Sequence, residues 1–356
     1  MTPDQSLIIE KSYKAIIVWL FVIAFMVFVM IVLGGVTRLT QSGLSMVEWK
    51  PISGWLPPMN LSDWQVLFDK YRQFPEFAQN NSDMTVFDFK NIFWLEFIHR
   101  VWGRLIGIVF LLPMVFFLLT KQLAGKIAVH AFIIFLLGGL QGGLGWFMVK
   151  SGLIDEPNVS QYRLTAHLGL AVVILGYSLT LSFDLIKKQR PIVSIADASP
   201  LNMIRFSNLI LGMVFITLLS GGFVAGLDAG LVYNTFPLMD GQLIPDEAFD
   251  LSPLYLNAFE NVALVQFDHR ILAITTTIIV IIFRIKSIGL NLPGRSLLIS
   301  NFLTLMVLIQ AGLGISTVLL AAPITLAATH QGGAIILFAL ALWMSREMKS
   351  CNITCS

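Results

Sequence analysis

The chain has 356 residues, of which 56% are hydrophobic and only 12% are charged, and its mean hydropathy is +0.80. Such a composition is far more apolar than that of a soluble domain, so it predicts a polytopic membrane protein. The net charge of +2 comes with basic residues dispersed among short loops, which excludes a nucleic-acid partner. The two cysteines, Cys351 and Cys355, lie too near the C-terminus to cross-link an outer loop and are too few for a metal site.

Eight apolar runs are long enough to span a bilayer, for which about 20 residues are needed. They lie near residues 15–35, 95–119, 127–148, 164–184, 205–226, 262–283, 297–320 and 324–344. Lysine and arginine concentrate at the termini and after the second, fourth and sixth runs, whereas residues 227–261 contain neither. The positive-inside rule therefore predicts that both termini are cytoplasmic. No cleavable signal or transit segment precedes the first run, so we expect a multi-pass protein of the bacterial inner membrane.

The first outer loop, residues 36–94, contains aromatic residues at helical spacing. Trp64, Phe68 and Tyr71 recur three or four positions apart among charged residues. This pattern is typical of a short amphipathic helix on the outer surface, and equally of a solvated loop with some buried aromatic residues.

The two halves of the chain repeat each other. The pair Gly34–Gly35 near the end of the first run corresponds to Gly221–Gly222 in the fifth, and further matches join the third run to the seventh and the fourth to the eighth. Such matches in the same order indicate duplication. Because each half has an even number of helices, the copies share their orientation in the membrane. The predicted fold is an all-α polytopic membrane protein of two tandem four-helix bundles, residues 1–190 and 191–356, related by a pseudo-two-fold axis along the membrane normal.

Closely spaced glycines recur in the third and fifth runs. Gly138 with Gly142, Gly139 with Gly143, and Gly222 with Gly226 have the spacing of small residues that let membrane helices approach closely. The same glycines could leave room for a flat ligand inside a bundle, and the two interpretations are compatible.

Four of the five histidines occupy symmetric positions near the starts of the second, fourth, sixth and eighth runs. They are His99, His167, His269 and His330. All four are expected at similar depth toward the outer face, two in each bundle. Ionisable residues at membrane depth are costly and usually mark a functional site.

A haem suits paired membrane histidines better than a metal ion bound by protein alone. Zinc would require a third or fourth ligand, and a di-iron centre would require a second glutamate where Gln266 lies. Haem iron needs only axial ligands from the protein. Arginines near the histidines can bind its propionates, although charges snorkelling at a helix end would give the same pattern. They are Arg100, Arg104, Arg163 and Arg270.

The two histidine motifs differ at one position. Glu96 lies one helical turn before His99, whereas its counterpart before His269 is the neutral Gln266. A buried carboxylate is costly unless it has a partner or a task. Our hypothesis is that the C-terminal bundle holds a permanent redox haem, while the N-terminal bundle holds a haem on which chemistry is done, with Glu96 stabilising charge or moving protons.

Several long strings resemble the haem A synthase family, which oxidises haem O to haem A for terminal oxidases. They lie at residues 34–45, 49–51, 96–104, 166–169, 221–230, 234–237, 268–270 and 329–331, and the resemblance covers about residues 30–345. It implies that His269 and His330 ligate a haem b cofactor, with Arg270 beside it. It also implies that His99 and His167 bind the iron of haem O, that Glu96 is the essential acid, and that the porphyrin C8 methyl is hydroxylated in succession to a formyl group.

The resemblance also implies partners, and it leaves rival functions open. A haem O synthase, a farnesyltransferase, is expected to supply the substrate, an unidentified acceptor to take the electrons, and a homo-oligomer is possible. Some bacterial members carry cysteine pairs in outer loops that this chain lacks, so it is more similar to the proteobacterial and mitochondrial branch. The rivals are a bis-histidine dihaem b cytochrome carrying electrons from a quinol, which does not explain Glu96 opposite Gln266, and a transporter with parallel repeats.

Overall fold

The computed structural model describes residues 3–50, 53–152, 159–189, 201–290 and 292–350; Cys351 and Cys355 lie outside them. The described residues are largely helical and contain no β-strand. The helices are α1 Pro3–Leu39, α2 Leu61–Tyr71, α3 Pro75–Asn80, α4 Val86–Leu119, α5 Gly125–Gly152, α6 Gln161–Lys188, α7 Leu201–Gly226, α8 Asn257–Glu260, α9 Val262–Gly289, α10 Gly294–Leu319 and α11 Ile324–Ser350.

Eight of these helices, all except α2, α3 and α8, are long and apolar enough to cross a membrane. The prediction of an all-α multi-pass membrane protein is therefore confirmed. Contacts divide the chain into two compact units, one of residues 25–174 and one of residues 1–24 with 175–356. His99 and His167 lie in the first unit, and His269 and His330 lie in the second. The predicted division at residue 190 and the pseudo-two-fold axis stay predictions.

In the unit of residues 1–24 and 175–356, four long helices form a closed ring. Helix α7 packs against α9 and α11, and α10 packs against the same two helices. The start of α9 is fixed by Asn261, whose side chain accepts hydrogen bonds from the backbone N–H groups of Ala263 and Leu264. This cap satisfies donors that a helix end otherwise leaves without partners, and it begins the helix two turns before His269.

In the unit of residues 25–174, α4 is the central helix. Its Trp102 donates a hydrogen bond of 2.9 Å from Nε1 to the carbonyl of Met26 in α1, and it also packs against α5 and α2. A capping box of Thr85 and Asp88 begins α4, ten residues before Glu96.

The aromatic pattern of the first outer loop folds as a helix, α2. Trp64 and Phe68 form one buried cluster with Phe89 and Phe93 of α4, and the ring centroids of Trp64 and Phe93 are 4.9 Å apart. The apolar face of α2 is therefore covered by α4, and the outer loop is joined to the helix that carries Glu96 and His99.

Candidate functional site: two pairs of membrane histidines

Each of the four predicted ligand histidines lies against a glycine of the helix beside it. A Cβ atom added at that glycine would approach the ring Cε1 atom to 3.2 Å or less, which is closer than nearly all real Cβ contacts. The pairs are Gly34 with His99 at 3.2 Å, Gly145 with His167 at 3.0 Å, Gly221 with His269 at 3.2 Å and Gly314 with His330 at 2.9 Å. Each imidazole ring therefore occupies the space that a side chain would fill on the neighbouring helix.

The glycines of α5 predicted to bring helices together have a different environment. A Cβ atom added at Gly138, Gly139, Gly142 or Gly143 would meet no described atom within 4 Å. Their expected role in close packing is therefore wrong for the described residues, since no neighbouring backbone approaches them. They leave open space along α5, on the same helix as the Gly145 that contacts His167.

A glutamine of the preceding helix holds the second histidine of each pair. The amide Nε2 of Gln141 donates to the carbonyl of His167 at 3.0 Å and lies 3.4 Å from its ring Nε2. The amide Nε2 of Gln310 donates to the carbonyl of His330 at 2.8 Å and lies 3.0 Å from its ring Nδ1. Both histidines are thus fixed by a contact to main chain and ring together.

A serine holds His269 and determines its tautomer. The Ser220 hydroxyl donates its proton to the carbonyl of Thr217 at 2.7 Å, and its oxygen lies 2.8 Å from Nδ1 of His269. A hydroxyl has only one proton to donate, so with that proton on the Thr217 carbonyl it is Nδ1 of His269 that donates to the Ser220 oxygen. The lone pair of this neutral imidazole then lies on Nε2, which is the arrangement that a metal ligand requires.

Glu96 is buried and joined to the loop that follows α1. Its side chain is only 3% exposed, and Oε2 accepts hydrogen bonds from the Ser45 hydroxyl at 2.7 Å and the Met46 backbone N–H at 2.6 Å. Oε1 forms an ion pair with Arg100. The guanidinium of Arg100 also donates to the carbonyls of Met46 at 2.6 Å and Glu48 at 2.8 Å. Glu96 and Arg100 therefore act together as an anchor for residues 45–48.

Ion pairs of Glu48 hold the other side of the loop of residues 45–48. Glu48 forms ion pairs with Lys50, at 2.6 Å, and with Lys70 of α2. The hydrogen bonds from Lys50 and Lys70 lower the pKa of Glu48 below its ordinary value. The loop is thus held on one side by Glu96 and Arg100 and on the other by α2.

The equivalent residues of the second unit anchor an equivalent loop without a carboxylate. The amide of Gln266 donates to the carbonyl of Tyr233 at 3.1 Å. Arg270 donates to the carbonyls of Tyr233 and Thr235, both at 2.8 Å. Its Nε–H has no partner among the described residues, so one donor of a buried guanidinium is left for a carboxylate. The asymmetry between Glu96 and Gln266 is real, but both residues contact the loop after the preceding helix.

The other two predicted propionate ligands also contact protein groups. Arg104 donates to the carbonyl of Lys50 at 2.7 Å and its guanidinium lies over Trp55. Arg163 lies 5.0 Å from the ring centroid of Phe147. Binding of haem propionates by these arginines stays a prediction.

The donor set of the site fits a haem better than an ion bound by protein alone. Within the residues that the structure describes, no three histidine, cysteine or acidic side chains lie together as a metal site. Each unit instead offers two histidines from two helices, and His269 has its Nε2 lone pair free. Such a pair can bind haem iron, because the porphyrin supplies the other four ligands.

The residues that hold the histidines were not predicted from the sequence. Ser220, Gln141 and Gln310 were visible inside the repeated strings but were not assigned a role. Their positions could have identified them, because Ser220 precedes a repeated glycine and the two glutamines lie on the helix before a predicted ligand. Their contacts, however, depend on how the helices are rotated about their axes, which the sequence does not report.

Comparison with known proteins identifies a family. Residues 17–342 match the COX15-CtaA family, described as cytochrome oxidase assembly protein. A protein of Nitrosospira multiformis named heme A synthase is 49% identical over 97% of this chain and 96% of its own length. Heme A synthase of Nitrosomonas eutropha is 48% identical over 95% of both chains. Heme A synthase COX15 of Bos taurus is 45% identical over 93% of this chain and 81% of its own. These relatives give no support to the dihaem cytochrome or the transporter.

Proposed function

Because this chain belongs to the COX15-CtaA family of haem A synthases, and is therefore an enzyme of haem A biosynthesis, we propose that it oxidises the C8 methyl of haem O to a formyl group. Two successive hydroxylations with oxygen from water give a geminal diol, which loses water. Each hydroxylation removes two electrons and two protons from the methyl carbon and the water, and an acceptor outside this chain takes the electrons. The enzyme is thus an oxidoreductase acting on a CH group.

The unit that contains His269 and His330 is proposed to hold haem b. The observation that carries the assignment is the hydrogen bond between Ser220 and His269, because it leaves Nε2 of His269 as a lone pair. His330, whose carbonyl accepts a hydrogen bond from Gln310, would be the second histidine to hold the haem, and the Nε–H of Arg270, which has no partner among the described residues, could donate to a propionate. When bound, haem b supplies one-electron redox chemistry.

The unit that contains His99 and His167 is proposed to bind haem O as substrate through its iron. Glu96 lies one helical turn before His99, buried and ion-paired with Arg100. Its role is to present negative charge to the porphyrin edge, where positive charge develops on the C8 carbon during oxidation. A fixed charge in a site that excludes water is effective for this purpose. The loop of residues 45–48, anchored by the same carboxylate, keeps the charge in position.

The proposed setting is the bacterial inner membrane, with both termini in the cytoplasm as the distribution of lysine and arginine predicts. The two halves, residues 1–190 and 191–356, are proposed as tandem four-helix bundles about an axis along the membrane normal. Haem O comes from a haem O synthase, a farnesyltransferase, and the chain is proposed to form a homo-oligomer in the lipid bilayer.

The decisive experiment co-expresses the chain with a supply of haem O in cells that make no haem A, and separates the extracted haems by chromatography. We expect haem A to appear, and we expect none from cells expressing Glu96→Gln. Haem O that remains unchanged beside purified protein carrying haem b would reject the proposed reaction.

A further inference from the structure

His99 and His269 occupy equivalent positions in the repeat, but the side chains of the neighbouring helix that lie next to them differ in polarity. A Cβ atom added at Gly34 would lie 3.2 Å from Cε1 of His99, and one added at Gly221 would lie 3.2 Å from Cε1 of His269, so both rings pack closely against their glycines. With these glycines aligned, Ser220 corresponds to Leu33. The nitrogen Nδ1 of His99, unlike that of His269, is buried and has no hydrogen-bond partner among the described residues.

The difference extends further along the same helices. Thr217 in α7 donates to the carbonyl of Met213 at 2.8 Å and lies 3.0 Å from the hydroxyl of Thr276 in α9. Alignment on the histidines and glycines puts Met30 opposite Thr217 and Ile106 opposite Thr276. Three hydroxyl residues thus lie along this side of His269: Ser220 contacts the ring, and Thr217 and Thr276 contact each other.

The corresponding row behind His99 is wholly apolar, consisting of Met30, Leu33 and Ile106. The methyl Cε of Met30 lies 3.3 Å from where a Cβ atom would be at Gly103 of α4, which is an apolar contact. The only heteroatom in this row is the thioether sulfur of Met30, a weak acceptor, and Nδ1 of His99 has no hydrogen-bond partner among the described residues.

We propose that Ser220 is the positioning residue that makes the haem of the second unit permanent, and that Leu33 at the equivalent place leaves His99 a releasable ligand. This inference rests on the proposed function, because it takes His269 as a haem b ligand and His99 as a ligand of the substrate. The physical reason is that a hydrogen bond from Nδ1–H fixes the tautomer and ring orientation and strengthens the Nε2 donor. A cofactor benefits from such a ligand, whereas a substrate that must leave as product does not.

The chain supplies a matched control on the same helix. Ser207 of α7 is 1% exposed and donates its hydroxyl to the carbonyl of Ile204 at 2.8 Å. Ser220 donates to the carbonyl of Thr217 in the same manner at 2.7 Å. Only Ser220 touches a histidine. Ser207→Ala therefore reproduces the loss of a helical serine hydroxyl without any effect on His269.

The test measures haem release and potential in full-length protein purified with haem b and reconstituted in lipid nanodiscs. An excess of apomyoglobin captures released haem, and the Soret band gives the rate. We expect Ser220→Ala to release haem b roughly 10-fold faster or more, as is typical when a ligand loses its outer partner. Its midpoint potential should rise, because a weaker donor stabilises ferric iron less. Ser220→Thr, which keeps the hydroxyl, and Ser207→Ala should both match the wild type.

The reverse change is made in the other unit. Leu33→Ser should supply an acceptor to His99 and slow the release of bound haem O from purified protein roughly 10-fold, while Leu33→Ala should not. Wild-type rates and potential in Ser220→Ala would overturn the inference and leave the proposed function intact. A wild-type protein that purifies without haem b, or that keeps it after His269→Ala, would reject the cofactor assignment itself.

Discussion

Replacing Glu96 by glutamine is expected to release the outer loop as well as to stop turnover. The carboxylate is 3% exposed and accepts two hydrogen bonds from the loop, from Ser45 and from the Met46 N–H; at about 1.5–3 kcal/mol for each bond to a charged group, losing both costs about 3–6 kcal/mol. Even the lower figure raises the open population of residues 45–48 by more than about 100-fold, since about 1.4 kcal/mol corresponds to a factor of ten. The Met46 N–H, which donates to Glu96, should lose most of its protection.

Hydrogen–deuterium exchange followed by mass spectrometry of a peptide covering residues 42–50 measures this opening. Ser45→Ala is the graded control, because it removes one donor to the carboxylate but keeps the charge. Loss of one hydrogen bond to a charged group costs about 1.5 kcal/mol or more, so exchange should rise at least about tenfold while haem A is still made. Exchange in Glu96→Gln equal to that of the wild type would refute the anchoring role. Full haem A production by the same variant would remove Glu96 from the mechanism.

Three further predictions use the histidine contacts and the outer loop. Gly314→Ala should displace the ring of His330, 2.9 Å from the added Cβ, and lower the haem b content of purified protein; Gly312→Ala, with no described atom within 4 Å, should not, and equal haem content in both would contradict the ring contact. His269→Ala should abolish the haem b absorption bands, and their survival would reassign the ligand. Burial raises the pKa of Glu76 from 4.5 to about 7, so folding favours the protonated form; the resulting stability, at most about 3 kcal/mol, is present below pH 4.5 and is lost as pH rises through 7. After division by the intrinsic, base-catalysed exchange rate at each pH, the protection of α2 and α3 should therefore fall over that range in the wild type and not in Glu76→Gln, and identical corrected profiles would exclude this carboxyl as the cause.

Helix spans could be predicted from the sequence because hydropathy depends on each segment alone. The predicted run 95–119 became α4, whose C-terminal end is Leu119 as expected, but α4 begins earlier, at Val86. Its first turns are amphipathic and lie against α2, so they carry no continuous apolar signal. The four histidines were predicted for a similar reason, since polar residues are conspicuous in apolar helices.

The partners of those residues could not be predicted, because they depend on the rotation of helices and the path of loops. Glu96 contacts Ser45 and Met46, which are 51 and 50 residues away, and no periodicity reports such a contact. The glycines that contact the histidines lie in the repeated strings of the sequence, so the repeat indicated their positions but not their contacts. Only the structure distinguishes Gly145, which contacts a ring, from Gly143, which does not.

The length of α4 has a mechanical consequence. Its 34 residues extend about 51 Å, whereas about 20 residues cross the hydrocarbon of a bilayer. The helix is therefore longer than one crossing of the hydrocarbon requires. Its first turns, which carry the aromatic cluster shared with α2, extend beyond the hydrocarbon and continue without a break to Glu96 and His99. Pro113 is the proline inside this helix, and a bend there lies on the far side of His99. A displacement of α2 would therefore be transmitted along α4 to Glu96 and His99, because no proline interrupts the helix before them.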